Sequence, residues 1–363
     1  FSLIYKSSDK KIAPNFYKQN KTTSPLESGS WYKFSVQKSG VHAIDKTLLS
    51  SVGIDVSNID PKKIRLWGMR GGLLPEANDE FRYDGLQELS IQVTGEGDGS
   101  FDDGDKVLFY AEGPNRVKLK SNNIYYHENN FYSDYNYYFL NIEQSDGSRT
   151  QTISSSTNPA NVYCTSFDEM QYHELDQFNF LKSGRRWYGE SFDFDNTQSF
   201  SFNFPNRSQT DSIYLKVNTI ARSTSGTNMF TTSLNGYNVL TQTIASTGVD
   251  YTSKYAIVKS STYFGLTNGD NININLSFSK GSSSANGWLN FIEVMAKRKL
   301  IMTNDQMMFR DVKSVGSGNI CEFSIINGYG TTIWDITEPT QIKSVSYTQS
   351  DNDAIFTLNT DSL

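Results

Sequence analysis

Residues Leu89–Pro114, LSIQVTGEGDGSFDDGDKVLFYAEGP, contain two apolar segments separated by an acidic segment rich in glycine. Leu89, Ile91 and Val93 alternate with polar residues, which is the period-two pattern of a half-buried strand. The run Val107–Tyr110 then resumes a strand-like pattern. The stretch therefore predicts two β-strands joined by an acidic loop.

The acidic segment carries five carboxylates within ten residues, and these repel one another unless water or a cation screens them. A calcium loop supplies oxygen ligands at positions 1, 3, 5, 7, 9 and 12, with glycine at position 6. Aligning Gly99 with position 6 gives the candidate calcium ligands Glu96, Asp98, Ser100, Asp102 and Asp105. Thr94 stands at position 1, where aspartate is expected. We therefore favour a solvent-facing polar loop, with a structural calcium as the alternative.

The composition of the chain is typical of an all-β protein. Its 363 residues include 21 Tyr and 23 Phe, whereas only 20% of them are charged. Aromatic residues favour strands, and apolar runs with a helical period are nearly absent. We predict two or three domains of the β-sandwich or jelly-roll type. One short helix is expected near residues 45–52, where Asp45 can cap the first turn and Gly53 stops the helix.

Charge and hydropathy exclude two classes of function. The net charge is −6 and the pI is about 5.2, which argues against nucleic acid as a partner because phosphate binding needs a basic face. No run of 18 apolar residues occurs, so no transmembrane segment is predicted. The first residues, FSLIYKSSDKK, lack the pattern of a signal peptide. We expect that a leader has been removed or that the chain begins inside a longer protein.

The pattern of strands and linkers predicts three segments. Residues 1–155 form an N-terminal β domain that contains the acidic loop 95–105. A linker rich in Ser and Thr precedes a jelly-roll-like β-sandwich at residues 162–300. Residues 301–363 are too few for an independent core. They are expected to complete the first domain, which would make the sandwich an insertion.

The residues with catalytic potential form no recognisable motif. Cys164 and Cys321 are the two cysteines, and we expect them to be free buried thiols because no disulfide framework is visible. The three histidines are scattered, and no nucleophile, phosphate-loop or zinc motif occurs. The sequence predicts no catalytic residue. The basic run Lys297–Lys299 is expected to be a solvated strand end.

A basic and aromatic block provides the candidate binding residues Arg185, Arg186, Trp187 and Tyr188. Two guanidinium groups beside two rings suit an anionic group such as phosphate or carboxylate. The alternative, which we favour, is a structural pair between an arginine and a carboxylate, packed under the tryptophan.

The segment Ile124–Asn141 is strongly aromatic. Its rings suit a platform for stacking sugars, but tyrosine and phenylalanine at strand spacing more often form a sheet core, and we favour the core. Jelly-roll sandwiches of this size often bind sugars. A carbohydrate-binding module of a secreted or adhesive surface protein is therefore the alternative function.

Several blocks of the sequence resemble, in order, the non-catalytic N-terminal region of the PorU-like gingipain-type cysteine peptidases. These are the sortases of the type IX secretion system of Bacteroidetes. The most specific part of the resemblance is SGRRWYGE at residues 183–190. The matching blocks are Gly29–Glu76, Gly95–Pro114, Phe167–Phe192 and Thr331–Pro339.

The resemblance implies an accessory or docking region. In this family a downstream caspase-like peptidase domain carries the catalytic Cys and His, so neither Cys164 nor Cys321 is assigned as a nucleophile. The family removes C-terminal sorting domains from exported cargo proteins and attaches the cargo to a surface lipopolysaccharide. The implied partners are the peptidase domain in cis, a PorV-like outer-membrane protein and the cargo. The implied location is the outer membrane and cell surface.

Overall fold

The computed structural model describes residues 24–120, 122–143, 145–182, 184 and 186–360. The chain is mostly β, which confirms the predicted fold class. Asn271–Ser279 shows why these residues form strands: alternate residues Ile272, Ile274 and Leu276 are fully buried, whereas the residues between them face outward. This is the period-two alternation of a sheet with one wet face.

The first part of the chain folds into two small sheets and a hairpin. The sheets have strand orders β1-β9-β3-β4 and β2-β6-β5, and β7 pairs with β8. Their inner faces share one apolar core, in which Ile64, Leu66 and Leu140 are fully buried. The strands are β1 (Tyr32–Val36), β2 (Gly40–Asp45), β3 (Ile64–Gly68), β4 (Gln87–Glu88), β5 (Gln92–Val93), β6 (Lys106–Ala111), β7 (Arg116–Leu119), β8 (Tyr125–Glu128) and β9 (Asn136–Ile142).

The predicted helix is present as α1 (Lys46–Ser51). The Asp45 carboxylate accepts a hydrogen bond from the Leu48 backbone N–H at 2.8 Å, which is the expected N-cap. Leu49 anchors the helix in the core. Short 3₁₀ turns lie at Pro25–Glu27, Val56–Asn58, Pro61–Lys63, Glu96–Asp98 and Val312–Ser314. In the part of the chain that the structure describes, no helix has the length and apolar character needed to cross a membrane.

The middle of the chain forms a sandwich of two antiparallel sheets. Their strand orders are β12-β19-β14-β17 and β13-β18-β15-β16, and side chains from both sheets form one core. The short strands β10 (Gln151–Ile153) and β11 (Val162–Cys164) precede it. The sandwich strands are β12 (Ser166–Glu174), β13 (Thr197–Asn203), β14 (Ile213–Arg222), β15 (Asn228–Leu234), β16 (Tyr237–Ile244), β17 (Ile257–Gly265), β18 (Asn271–Ser279) and β19 (Asn286–Lys299).

The last part of the chain pairs with the strands that precede the sandwich. Its sheets have the orders β11-β20-β24-β23 and β10-β22-β21, so strands on either side of the sandwich in sequence lie together. These sheets have a separate apolar core. The strands are β20 (Ile320–Ile325), β21 (Trp334–Asp335), β22 (Lys343–Val345), β23 (Thr348–Ser350) and β24 (Asp353–Asn359). The predicted domain boundaries stay predictions.

The basic end of β19 is largely buried, which corrects the expectation of a solvated strand end. Lys297 Nζ lies 3.1 Å from an Asp168 oxygen and 2.7 Å from an Asp311 oxygen. Arg298 binds the Glu169 carboxylate at 2.5 Å. Strand β12 supplies Asp168 and Glu169 because it pairs with β19 along its length. The sequence pattern alone does not reveal this pairing, and only Lys299 is exposed as predicted.

Candidate functional site

The acidic loop, residues 95–105, joins β5 and β6 as the sequence predicts. Ser100 N–H donates to Asp98 at 3.0 Å, and Asp102 N–H donates to Asp105 at 2.8 Å. Glu96 accepts a hydrogen bond from Arg149 Nε at 2.8 Å. Asp103 lies 3.0 Å from Lys46 Nζ. The carboxylates are thus held by backbone N–H donors and by two cationic side chains of the protein itself.

The loop conformation depends on Gly95, whose φ of 77° lies in the left-handed region. A Cβ atom at this position would lie 1.9 Å from Asp105 Oδ1. The loop therefore folds closely around the Asp105 side chain. Among the described residues, no group of three or more His, Cys, Asp or Glu side chains is arranged to hold a metal ion. Calcium binding by this loop stays the untested alternative to a solvent-facing polar loop.

The predicted binding block at 185–188 is divided between the surface and the core. Arg185 lies outside the described residues. Trp187 is 40% exposed and lines an open cavity of about 470 Å³ together with Phe178 and Phe180. Tyr188 is buried and stacks on Phe180, with 4.8 Å between ring centroids. Burial raises the pKa of Tyr188, against the opposing effect of Arg186, so the two side chains lie close together.

The carboxylates near this block have cationic or histidine partners. Glu190 lies 2.6 Å from His173 Nε2, and Asp193 lies 2.7 Å from Lys280 Nζ. Burial tends to raise the pKa of Glu190, but the hydrogen bond and charge of His173, together with a backbone hydrogen bond, hold the pKa below its usual value. The assignment of residues 185–188 as a binding site stays a prediction.

A second group of titratable residues lies where β8 packs against the outer face of the sheet β12-β19-β14-β17. We call His127, Glu174, Lys216 and Glu293 the histidine cluster. His127 Nδ1 lies 2.7 Å from a Glu293 oxygen, and its Nε2 contacts the Glu174 carboxylate. Lys216 Nζ lies 3.1 Å from the other Glu293 oxygen. One buried carboxylate thus binds a histidine and a lysine at the same time.

The strand register of the sandwich places the Glu293 carboxylate where it can bind His127. Glu293 lies opposite Tyr172 of β12 and opposite Lys216 of β14. The Tyr172 ring stacks on the His127 ring, with 4.3 Å between centroids and 15° between planes. The Phe291 ring meets His127 edge-on at 4.9 Å. The histidine is therefore held between two aromatic rings and two carboxylates.

The charges of the histidine cluster are mutually stabilised. Burial alone would lower the pKa of His127, but the hydrogen bonds to Glu174 and Glu293 outweigh burial and raise it. Burial would likewise raise the pKa of Glu293, but His127 and Lys216 hold it below its usual value. A protonated histidine and an ionised glutamate therefore favour one another inside the interface.

A cleft of about 310 Å³ opens beside the histidine cluster. Asn129 and Phe131, which follow β8, form one wall, and Asp176, which follows β12, lines it together with Glu174. Asp176 is exposed, but partial desolvation of its carboxyl group and the negative charge of Glu174 raise its pKa. Asn129 Nδ2 donates to Glu174 at 2.9 Å, whereas its Oδ1 is buried and has no hydrogen-bond partner.

Sequence reasoning missed both the histidine cluster and the cleft. It treated His127 as a scattered histidine, because Glu174 lies 47 residues away and Glu293 lies 166 residues away. The available signal was the run of polar residues in Ser166–Glu174, which forms strand β12.

The two cysteines are buried free thiols, as predicted. In the parallel pair of β11 and β20, Cys164 lies opposite Phe323 and Cys321 lies opposite Val162. Contact with the Cys321 thiol and burial raise the pKa of Cys164 far above its usual value. A nucleophilic cysteine needs a stabilised thiolate, so the environment of Cys164 is that of a structural thiol. The hydrogen bond with Cys164 lowers the pKa of Cys321, but the Cys321 side chain is fully buried in the sheet core.

The fold and these sites define the chain as a multi-sheet β protein, and comparison with solved structures identifies a similar one. Dimeric latent PorU from Porphyromonas gingivalis matches with a TM-score of 0.77 and 24% sequence identity. The match covers 92% of this chain, which spans only 31% of the length of that protein. It shows that the two share a fold over almost the whole chain.

The remaining comparisons found no matching sequence family and only weak partial structural matches. No protein-family model and no curated protein matches the sequence. A carbohydrate-binding module of family 36, in complex with calcium and xylotriose, matches 27% of this chain and 71% of its own, with 17% identity and a TM-score of 0.20. A family 35 module from Clostridium thermocellum matches 37% of this chain and 95% of its own, with 13% identity and a TM-score of 0.21.

Proposed function

We propose that this chain is a non-catalytic accessory or docking region of a type IX secretion cysteine peptidase of the sortase type. The fold likeness to PorU, at a TM-score of 0.77 over 92% of the chain, carries the proposal. The ordered sequence blocks at 29–76, 95–114 and 167–192 support it, because they resemble the same family independently of the structure.

In this proposal the peptidase chemistry belongs to a further domain of the same protein. Two observations favour placing the catalytic residues in a further domain. The chain spans 31% of the length of PorU. The thiols of Cys164 and Cys321 are buried in a sheet core, where a substrate has no access. The parent protein would then remove C-terminal sorting domains from exported cargo and attach the cargo to the cell surface. A PorV-like outer-membrane protein and the cargo would be its partners.

Deletion in the source bacterium tests the proposal. The chromosomal gene is replaced by one that lacks codons 24–360, and the level of the remaining protein is followed with an epitope tag. We expect exported cargo to retain its C-terminal sorting domain, as measured by mass spectrometry of secreted proteins. Normal cargo processing by the tagged deletion protein would overturn the accessory role.

Cysteine variants of the complete gene test the non-catalytic assignment. We expect Cys164→Ala and Cys321→Ala to leave cargo processing unchanged, provided that the protein accumulates to its normal level. Loss of processing in either variant, at normal abundance and with an unchanged thermal midpoint, would show that this chain carries catalytic chemistry itself.

A further inference from the structure

The cleft beside the histidine cluster is lined by both carboxylates and aromatic rings. Its rim carries the Asp176 and Glu174 carboxylates, and its lining includes the Phe131 and Phe291 rings. The hairpin β7–β8 and the loop that follows it form one side of the cleft, and the sandwich sheet forms the other. A side chain that enters here would meet hydrogen-bond acceptors and aromatic rings together.

The two cationic side chains of this cleft, Lys216 and His127, already bind carboxylates of the protein. Lys216 Nζ binds Glu293 and lies 4.6 Å from the centroid of the Phe291 ring. Both nitrogens of His127 contact carboxylates. Within the part of the chain that the structure describes, Asp176 has no ion pair, and the neighbouring charge of Glu174 opposes its ionisation. The positive charge of His127 acts on Asp176 in the opposite direction, but Asp176 remains the carboxylate of the cleft without a directly bound cation.

Asn129 provides an additional acceptor. Its Nδ2 donates to the Glu174 carboxylate at 2.9 Å, which fixes the orientation of the amide, because the reverse orientation would place two oxygens together. Asn129 Oδ1 is left buried without a hydrogen-bond partner. A buried acceptor without a donor is unfavourable, so the wall of the cleft contains a polar atom that the protein itself leaves unsatisfied.

We propose that this cleft binds a basic side chain, the guanidinium group of arginine or the ammonium group of lysine, presented by a peptide or protein partner. These groups are donors only, so they complement the Asp176 and Glu174 carboxylates, which are acceptors. Their aliphatic stems pack on Phe131 and Phe291, as long basic side chains do on apolar surfaces. The inference goes beyond the proposed accessory function and rests on the cleft alone.

Titration of the full chain with Nα-acetyl-L-arginine amide tests the site. Nα-acetyl-L-lysine amide is the second probe, and Nα-acetyl-L-citrulline amide is the neutral control with nearly the same shape as arginine. We expect saturable binding of both basic probes, measured by NMR or calorimetry, with a dissociation constant on the order of 1 mM. Affinity should fall as salt is added, because the carboxylates are partly exposed.

Two matched variants locate the binding to the cleft. Asp176→Asn removes the carboxylate that has no directly bound cation, and we expect it to weaken binding about tenfold, which corresponds to about 1.4 kcal/mol. Asp195→Asn changes an exposed aspartate elsewhere on the sandwich, and we expect wild-type affinity. Both changes lie at exposed positions, so both proteins should keep the wild-type thermal midpoint.

Three outcomes would overturn the proposal. They are the absence of saturable binding by either basic probe, equal affinity for the citrulline control, and equal loss of affinity in Asp176→Asn and Asp195→Asn. None of these outcomes affects the cargo-processing test of the accessory role, so the two proposals fail separately.

Discussion

The acidic loop and the histidine cluster both concentrate carboxylates, but they neutralise them differently. In the loop, Asp98 and Asp105 accept hydrogen bonds from backbone N–H groups two and three residues away. In the cluster, Glu293 binds His127, 166 residues away in sequence, and Lys216, 77 residues away. The backbone hydrogen bonds of Asp98 and Asp105 thus form within a short peptide, and in the described part of the chain only Glu96 and Asp103 bind side chains from outside the loop. The cluster, in contrast, exists only when the hairpin and the sandwich are both folded.

The energetic consequences of the two arrangements differ as well. The Glu293 side chain is only 3% exposed, so its charge has lost its hydration and depends on its partners. The loop carboxylates Asp98, Asp102 and Asp103 are exposed, where water and salt screen their repulsion. Losing one charge should therefore matter far more in the cluster than in the loop.

The largest effect is expected from Glu293→Gln. The substitution leaves the Lys216 ammonium and the protonated His127 ring in a buried site without their shared carboxylate. Breaking a buried ion pair from one side costs about 3 kcal/mol or more. We expect a loss of stability of this size in urea-induced unfolding of the sandwich and its hairpin contact.

Glu80→Gln is the matched control for this prediction, because Glu80 is an exposed glutamate in the first part of the chain. We expect its free energy of unfolding to change by less than about 0.5 kcal/mol. Equal effects of the two substitutions would contradict the claim that the cluster is a desolvated, mutually dependent set of charges.

Gly95→Ala tests the packing of the loop rather than its charge. The new Cβ would lie 1.9 Å from Asp105 Oδ1, at a φ of 77° that is strained for alanine. We expect a loss of about 2 kcal/mol in the thermal or urea unfolding of the first part of the chain. Gly97→Ala is the control in the same loop, since a Cβ atom added there would have no neighbouring atom within 4 Å, and it should be nearly neutral.

The pH dependence of stability should show that the histidine cluster contributes in a limited range. The raised pKa of His127 means that its contribution is complete below about 6.5 and is lost as the pH rises through the folded-state value. The lowered pKa of Glu293 means that its contribution is present above about 4.5 and is lost as the pH falls through its folded-state value. The cluster should stabilise the protein most between these limits.

Comparison of the wild type with His127→Gln across pH 4 to 9 measures this contribution. We expect the difference in thermal midpoint to be largest near pH 5 to 6 and to shrink towards pH 9. Glu174 and Lys216 belong to the same cluster and Asp176 faces it, so the profile reports the whole set of charges rather than His127 alone. A difference that is constant across this range would show that His127 contributes only through packing.

The contrast between loop and cluster also explains what the sequence could predict. The cap at Asp45 and the glycine-rich loop are local patterns, and the structure contains the corresponding helix and turn. Of the strand predicted over residues 89–93, only Gln92–Val93 forms, because the N–H groups of Ser90 and Ile91 donate to Thr340 and Ser148 instead. The all-β class follows from many such patterns together. These features were predictable because their physical causes lie within a few residues.

The buried charges were not predictable because they depend on which strands pair. Asp168 and Lys297 are opposite one another in β12 and β19, yet they lie far apart in the sequence. The same pairing places Tyr172 beside Glu293, so that one residue can stack on the His127 ring while the other binds it. A composition-based argument that basic residues are solvated fails wherever such a register brings a carboxylate alongside.

Calcium removal gives the smallest expected effect and tests the local neutralisation of the acidic loop most directly. Because Asp98, Asp105 and Glu96 already accept hydrogen bonds from N–H donors of the protein, we expect less than about 0.5 kcal/mol difference in the free energy of unfolding between calcium and EDTA.

If the loop binds calcium, stability must instead rise with the logarithm of calcium concentration above the dissociation constant. That rise should disappear in Asp98→Asn and persist in Asp176→Asn. A calcium-dependent rise in stability would show that a bound ion, rather than local hydrogen bonds, neutralises the loop carboxylates. The histidine cluster would still be neutralised by its buried internal pairs.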